Sequence, residues 1–364
     1  MTMLKPLKIG DLTASIPIIQ GGMGVGVSRG RLAGAVAKEG GIGIISTAQI
    51  GYDLEGFDKD QEGCNLRAIR EHIAMAKEMS NGGLVGVNVM VALKQYREHV
   101  KEAVKAGADV VICGAGLPMD LPELVAGSDT KIAPIVSSAR AARLLLQKWK
   151  RRYDYIADFL VIEGPKAGGH LGFTKEDAVK DINFDEEIKA IIAVVRDMEE
   201  KCDAKIPVIV AGGIFDKRDI DHVISLGADG VQIASRFVAT YECDASDAYK
   251  QAYINAKAED VRIIQSPVGM PGRAVNNAFL KKVDEGKVCV DKCYKCLGKC
   301  NPAEIPYCIT KALVNAVKGD LDNGLIFCGA NVGRINTIVS VHELMAELTE
   351  EIEVGIAETE RIAG

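Results

Sequence analysis

The sequence predicts an α/β protein built on a closed, eight-stranded parallel (β/α)8 barrel, followed by a C-terminal extension that carries a cysteine cluster. Three observations lead to this fold class. Eight short apolar runs rich in β-branched residues alternate with segments of helical period, which is the pattern of parallel strands joined by helices. The chain has 364 residues, more than the roughly 250 of a typical single barrel. Four cysteines crowd between Cys293 and Cys308, outside the repeating pattern.

The predicted strands share a short apolar core that leads into a glycine-rich or polar turn. In chain order they are Pro17–Gln20, Ile42–Ile45, Leu84–Asn88, Val110–Cys113, Ile132–Val136, Phe159–Ile162, Val208–Ala211 and Gly230–Ile233. Eight strand–helix units are enough to close a barrel of the TIM type. A doubly wound open sheet would usually end after about five to seven strands, so it is the weaker interpretation.

Amphipathic segments between these runs predict the outer helices. They are Arg31–Lys38, Arg67–Met79, Gln95–Lys105, Ala139–Lys148, Glu186–Glu200 and Asp219–Leu226. Counting eight units gives a barrel domain over residues 1–256 and an extension over residues 257–364. We expect the cysteine-rich loop and two further helices, Ala312–Val317 and Val341–Leu348, to pack the extension on the barrel.

Composition narrows the range of functions. A hydrophobic share of 48% is ample for a buried core, and the net charge of −6 comes with no basic stripe of the kind that binds nucleic acid. No apolar run approaches the roughly 18 residues of a membrane helix, and residues 1–11 lack the apolar centre of a signal peptide. We therefore expect a cytoplasmic protein, alone or as a homo-oligomer, that acts on a small molecule and binds neither nucleic acid nor membrane.

The loops after the strands hold the candidate site residues, because barrels of this type place their active sites at the carboxyl ends of the strands. The clearest pair of loops follows the last two strands, where Gly212 and Gly213 expose backbone N–H groups and Ala234–Ser235 begins a helix. Free N–H groups and a helix N-terminus favour a phosphate, and this corner is the usual phosphate site of the fold. In the alternative interpretation, these glycines only make tight turns.

His170 is the candidate catalytic residue. It follows Gly168 and Gly169 in the loop after the sixth strand, where packing does not require an imidazole. An imidazole titrates near neutral pH, so it can take or supply a proton beside a reacting carbon. The other four histidines fall within helical patterns and are predicted to be surface residues: His72, His99, His222 and His342.

Several motifs in a fixed order give the chain a resemblance to a known family. They are Pro17–Met23, Gly86–Met90, Glu163–Gly172 with Ala167-Gly168-Gly169-His170 at its centre, Ala211–Ile214, and Gly227–Gln232 leading to Arg236-Phe237. On these residues the chain resembles the nitronate monooxygenase (2-nitropropane dioxygenase) family and the closely related flavin-dependent enoyl-acyl carrier protein reductases. The resemblance covers the barrel and is weaker in the extension.

The resemblance implies non-covalently bound FMN at the carboxyl ends of the strands, with His170 as the acid/base group. The stretch Gln20–Met23 would lie along the ring system, and Asn88, Ser137 and Glu163 would edge the ring or the ribityl chain. The cofactor-binding residues that it implies are Gln20, Gly21, Gly22, Met23, Asn88, Ser137, Glu163, Gly168, Gly169, Gly212, Gly213, Gln232, Ala234 and Ser235. Of these, Gly212, Gly213, Ala234 and Ser235 would hold the phosphate.

The expected function is an FMN-dependent oxidoreductase that oxidises nitronates or nitroalkanes. The alternative is a flavin enoyl reductase with NAD(P)H as co-substrate, and Gln20–Met23 looks closer to that branch. A non-redox phosphosugar barrel enzyme is less favoured, because Lys166 and Glu163 are the only strand-end candidates for its chemistry. A non-catalytic electron carrier would have no use for His170.

Cys293, Cys296, Cys300 and Cys308 form a motif that the resemblance does not explain, since the best-known members of both branches lack it. Four thiolates in close sequence suit an iron–sulfur cluster or zinc. The uneven spacing favours [4Fe–4S] over the paired knuckles of a zinc site. Unligated cysteines and a redox disulfide are the remaining alternatives.

Overall fold

Eight parallel strands close the predicted barrel in the computed structural model, which describes residues 4–180 and 183–350. In chain order the strands are β1 (Leu7–Ile9), β2 (Leu12–Ala14), β3 (Ile18–Gln20), β4 (Ile42–Ser46), β5 (Leu84–Met90), β6 (Val110–Gly114), β7 (Lys131–Val136), β8 (Leu160–Glu163), β9 (Gly169–His170), β10 (Val208–Ala211), β11 (Gly230–Ile233), β12 (Val261–Gln265) and β13 (Pro271–Val275). Strands β3–β8, β10 and β11 form the barrel, and β11 closes it by pairing with β3.

All eight predicted barrel strands are confirmed, and the largest difference is at β5, which continues to Met90. Every residue of β4 and of β6 is buried. Parallel strands have helices on one face and the barrel interior on the other, so both faces need apolar side chains. This double burial explains why continuous apolar runs, rather than alternating ones, marked the strands in the sequence.

Most of the helices surround the barrel and pack apolar faces against it. In chain order they are α1 (Gly30–Lys38), α2 (Gln61–Met79), α3 (Tyr96–Lys105), α4 (Leu121–Leu124), α5 (Ala139–Tyr153), α6 (Lys175–Ala178), α7 (Asp185–Cys202), α8 (Lys217–Ser225), α9 (Ser235–Val238), α10 (Asp247–Asn255), α11 (Ala278–Asp284), α12 (Ile309–Lys318) and α13 (Val341–Thr349). All predicted helices are confirmed. Helix α2 begins earlier than predicted because Asp60 caps it, accepting from the N–H of Gly63 at 2.9 Å. Among the described helices, none is both long and apolar enough to cross a membrane.

A hairpin of β1 and β2 precedes the barrel and was not predicted. Its buried residues Leu7 and Ile9 join the apolar cluster that fills the barrel interior. Asp11, at the turn, forms an ion pair of 2.5 Å with Lys131, the first residue of β7. Because Lys131 lies at the amino end of its strand, the hairpin closes the end of the barrel opposite the predicted site.

The extension contributes a second sheet, which was also not predicted. Strands β12 and β13 form an antiparallel hairpin, and β13 pairs in addition with β9. Strand β9 consists of Gly169 and His170 alone, so the loop with the candidate catalytic residue belongs to a sheet that the extension builds. The division into residues 1–256 and 257–364 stays a prediction, and the two parts share this sheet.

The histidines outside this loop differ from one another in burial. His222 and His342 are exposed, as predicted, whereas His99 is buried and His72 is half-buried. The Nδ1 atom of His99 lies 3.1 Å from Thr47 Oγ1. Burial lowers the pKa of His99 to about 4, because the charged imidazole would lose its water. The prediction that His99 is a surface residue was wrong because the helical pattern does not show which face packs inward.

The substitution His99→Gln should make the stability of the protein less sensitive to acid. The unfolded chain takes up a proton as the pH falls through 6.5, whereas folded His99 takes one up only near 4. Its contribution to stability is therefore present above pH 6.5 and is lost as the pH falls towards 4. Urea unfolding at about pH 7.5 and about pH 5 measures this difference. The control His222→Gln removes an exposed imidazole, and an unchanged acid sensitivity in His99→Gln would contradict the assignment.

Candidate active site

A cavity of about 230 Å³ lies at the carboxyl ends of the barrel strands. Most of the predicted cofactor and catalytic residues line it, although they come from separate loops. These residues are Gly21, Gly22, Met23, Asn88, Glu163, Gly168, Gly169, His170, Gly212, Gly213, Gln232, Ala234 and Ser235. The fold therefore brings together residues that are far apart in the sequence.

Gln20 and Ser137 are the two predicted residues that do not line the cavity. Gln20 is completely buried in the barrel, where its Oε1 accepts from the N–H of Ile44 at 3.1 Å. Its side-chain amide also donates to the carbonyl of Gly21, so Gln20 shapes the first loop from behind. Ser137 lies beside Gly172. A Cβ added to Gly172 would come within 2.6 Å of Ser137 Oγ.

Bare backbone forms one wall of the cavity. A Cβ on Gly22 would collide with the side chain of Asn88, so only glycine lets the first loop pass this close to the end of β5. The N–H of Met23, the next residue, donates to Ser28 Oγ at 2.8 Å, which fixes the course of the loop. Gly21, Gly22 and Gly24 all line the cavity, so this wall consists largely of backbone, against which a flat group can lie.

Gly212 and Gly213 form the corner after β10. Their φ angles are +90° and +102°, in a region that residues with a Cβ rarely adopt. Among the described residues, no backbone carbonyl accepts from either N–H group, so both donors are available to a ligand. The expected helix N-terminus adds little, because α9 after β11 is a single turn of four residues.

A segment of the extension, residues 327–331, closes this corner and was not predicted. Asn331 donates to the carbonyl of Gly213 at 2.8 Å, and the N–H of Gly329 donates to Ser235 Oγ at 3.0 Å. The segment lines the cavity together with Leu313 of α12. The only local signal was a glycine after a short apolar run, which also describes many ordinary turns.

Arg273 of β13 holds the loop after β8 in position. Its buried guanidinium donates to the carbonyls of Pro165 and Ala167, at 2.6 Å each, and to that of Ala178 at 2.9 Å. Arg273 is also the register partner of Gly169 in the β13–β9 pair. Backbone pairing and these three side-chain hydrogen bonds together fix the position of His170.

His170 lies at the edge of the cavity with its ring between two residues of the extension. Its Nε2 is 2.8 Å from Ser266 Oγ, and the Phe327 ring stands edge-on with its centroid at 5.0 Å. Loss of water around the ring lowers the pKa of His170 to about 4. The imidazole is therefore neutral at pH 7 and has a lone pair with which it can accept a proton.

The four clustered cysteines lie away from this cavity and line a second one, of about 330 Å³. In the described part of the chain, no three cysteine, histidine or carboxylate side chains are arranged to hold a metal ion. All four cysteines carry free thiols. Neither the predicted zinc nor the predicted iron–sulfur centre is confirmed.

Glu163 contributes a carboxyl group to the cavity wall. The group is half-buried, and no other side chain in residues 4–180 and 183–350 forms an ion pair or hydrogen bond with it. Loss of water raises the pKa of Glu163 to about 7. Near neutral pH this carboxyl can therefore donate a hydrogen bond to a ligand or accept one from it.

The substitution Glu163→Gln should stabilise the ligand-free protein at alkaline pH. The raised pKa means that the contribution of Glu163 to stability is present below pH 4.5 and is lost as the pH rises through about 7. Glutamine keeps the shape of the side chain without the buried charge. In urea unfolding, we expect the variant to exceed the wild type at about pH 8 and to match it at about pH 5. An equal difference at both pH values would mean that the substitution acts through packing.

Comparison with known proteins gives consistent matches over the barrel and the extension. A family model described as nitronate monooxygenase matches residues 5–351. A probable nitronate monooxygenase of Bacillus subtilis (strain 168) is 22% identical over 370 residues, which cover 92% of this chain and 95% of that protein. A carboxyl-CoA dehydrogenase of Mycobacterium tuberculosis is 24% identical over 270 residues, or 74% of this chain and 66% of that protein. The chain thus spans just under two thirds of the length of this last relative.

The solved structure of FabK from Thermotoga maritima superposes with a TM-score of 0.69 and 26% identity, covering 91% of each chain. The family model matches residues 5–351, and this range includes all of the glycine-rich motifs. Family membership implies an oxidoreductase with a flavin cofactor, and it leaves the non-redox phosphosugar enzyme without support. The chain belongs to the nitronate monooxygenase family.

Proposed function

We propose that the protein is an FMN-dependent oxidoreductase that oxidises nitroalkanes and their nitronates, with His170 as the base. The observation that carries this proposal is a neutral imidazole at the edge of a glycine-lined cavity. Proton removal from the carbon next to a nitro group needs a base that is unprotonated at working pH. A histidine that stays unprotonated down to about pH 4 meets this requirement.

The residues around the cavity fit a flavin mononucleotide. The wall of bare backbone at Gly22 suits a flat ring system, and the free N–H groups of Gly212 and Gly213 suit a phosphate. Glu163, which has no protein partner among the described side chains, suits a polar edge of the ring or the ribityl hydroxyls. When bound, FMN would supply the two-electron chemistry by taking electrons from the substrate and passing them to oxygen.

Ser266 and Phe327 prepare His170 for proton transfer. In the tautomer that serves a base, Nε2–H donates to Ser266 Oγ and leaves Nδ1 free to accept the proton. Ser266 Oγ can accept this bond together with one from the N–H of Val268 at 3.3 Å. The Phe327 ring shields the imidazole from water, which keeps its neutral form favoured.

A flavin enoyl reductase that uses NAD(P)H is the second candidate. Two observations favour it: Gln20–Met23 resembles that branch, and one relative is named as a dehydrogenase of a carboxyl-CoA compound. Burial of His170 argues the other way, because it favours the neutral imidazole over the imidazolium that a reductase would use as proton donor. Oxygen uptake with a nitroalkane, measured beside NAD(P)H oxidation with an enoyl thioester, separates the two activities.

The substitution Gly212→Ala should weaken FMN binding by about tenfold or more, equivalent to about 1.4 kcal/mol. Its Cβ would lie 2.7 Å from the carbonyl oxygen of Gly164 at a φ of +90°, so the two N–H donors would move. The measurement is the flavin released by acid, identified by chromatography and quantified per chain. The control Gly127→Ala has a similar φ of +81° with nothing within 4 Å of its Cβ. Equal flavin content in both variants would contradict the phosphate site, and flavin that stays with precipitated protein would contradict non-covalent binding.

The substitution His170→Gln should lower turnover of nitroalkanes by about two to four orders of magnitude while the flavin stays bound. Glutamine fills similar space but cannot accept the proton. In the wild type, the acidic limb of kcat/KM should lie well below the ordinary histidine pKa of 6.5. Oxygen consumption across the pH range provides the measurement, with the exposed His342→Gln as control. Near-wild-type turnover and an unchanged pH profile in His170→Gln would rule His170 out as the base.

A further inference from the structure

The cysteine-rich loop is held in a fixed place on the barrel. Between α11 and α12 the described chain forms no helix or strand, yet it pairs with the connection after β5. The N–H of Lys94 donates to the carbonyl of Cys296 at 3.0 Å, and the N–H of Gly298 donates to that of Ala92 at 3.1 Å. The barrel therefore fixes the backbone on both sides of Leu297, the residue after Cys296, without the help of regular structure.

Four thiols surround one cavity in this loop. Cys293, Cys296, Cys300 and Cys308 all line the space of about 330 Å³, whereas the neighbouring Cys289 does not. Cys296 and Cys308 are buried, Cys300 is half-buried and Cys293 is exposed. Cys300 lies within electrostatic reach of Cys293 and Cys308, and Cys296 within reach of Cys300 and Cys308. The four cysteines thus lie around a common space.

The arrangement suits a polynuclear centre better than a single ion. A zinc site needs its ligands to converge on one point at bonding distance, and no such group exists in the described residues. In a [4Fe–4S] cluster each thiolate binds a different iron, so the four sulfurs surround a volume instead of meeting at a point. The four cysteines are distributed over the wall of their cavity, so they surround a volume in the same way.

The lining also suits the charge of such a cluster. A [4Fe–4S] core with a charge of +2 and four thiolates carries about −2 overall. Lys94 and Lys295 both line the cavity, and the N–H of Lys295 donates to Cys293 Sγ at 3.4 Å. Positive charge and N–H···S hydrogen bonds both stabilise thiolate ligands. We propose that Cys293, Cys296, Cys300 and Cys308 bind a [4Fe–4S] cluster.

The cluster site adjoins the active-site cavity through α12. Ile309 lines the cysteine cavity and Leu313, on the same face of the helix, lines the active-site cavity. Four residues advance about 6 Å along a helix, so the two cavities are close neighbours. Cys296 and Phe327 also belong to one apolar cluster. This proximity to a flavin rests on the proposed function, whereas the binding of iron by the four thiols does not.

The test uses the full chain purified without oxygen and reconstituted with ferrous and ferric iron and sulfide. We expect about four irons and about four sulfides per chain, a broad visible absorption beyond that of flavin, and an EPR signal on reduction with dithionite. Cys296→Ser and the half-buried Cys300→Ser should each lose most of the iron and sulfide together. The matched variant Cys289→Ser changes a cysteine of the same loop outside the cavity and should keep both.

Two results would overturn the proposal. One is wild-type protein that takes up neither iron nor sulfide on reconstitution, and the other is about one zinc per chain with no sulfide. Circular dichroism of each variant separates loss of the cluster from loss of the fold, and Cys300→Ser gives a second reading should Cys296→Ser fail to fold. Acid-released FMN is measured on the same samples. Flavin without iron would overturn this proposal alone, and iron without flavin would overturn the proposed function alone.

Discussion

The pairing of β9 with β13 is the contact on which the geometry of the active site depends. Strand β9 contains only Gly169 and His170, and no barrel strand pairs with it. The apolar residues that flank it, Ala167 and Leu171, pack with Ile263 of β12, so the position of the loop depends on the extension and on Arg273. The buried guanidinium, bonded only to backbone carbonyls, costs desolvation free energy that only a well-fixed loop can offset.

The same pairing explains why the sequence revealed the barrel but not the whole site. Barrel strands need apolar residues on both faces, and these runs are visible without any knowledge of tertiary contacts. Strand β9 carries no such signal, because its conformation follows from a partner about a hundred residues later in the chain. The segment 327–331 was missed for the same reason, since the hydrogen bonds that dock it on the cavity join it to Gly213 and Ser235, about a hundred residues earlier in the chain.

The sequence motifs predicted which residues lie near the site better than they predicted the direction in which each side chain points. Gln20 belongs to the first glycine-rich motif, but strand alternation turns its side chain into the barrel, where it bonds to Ile44. His99 shows the same difficulty on a helix. The predicted glycines do line the cavity, because a backbone that adopts a positive φ or makes a close approach is visible in the sequence without knowledge of rotamers.

Chain order gives the extension a further consequence. The ribosome makes the eight barrel strands first, and it makes β13, which begins at Pro271, only later. Until that part of the chain emerges, the loop that carries His170 has neither its partner strand nor Arg273, even if the barrel has already closed. Domains generally begin to fold while synthesis continues, so a nascent barrel would be folded yet lack an ordered His170 loop. A chain cut short before Arg273 would likewise lack the contacts that position His170.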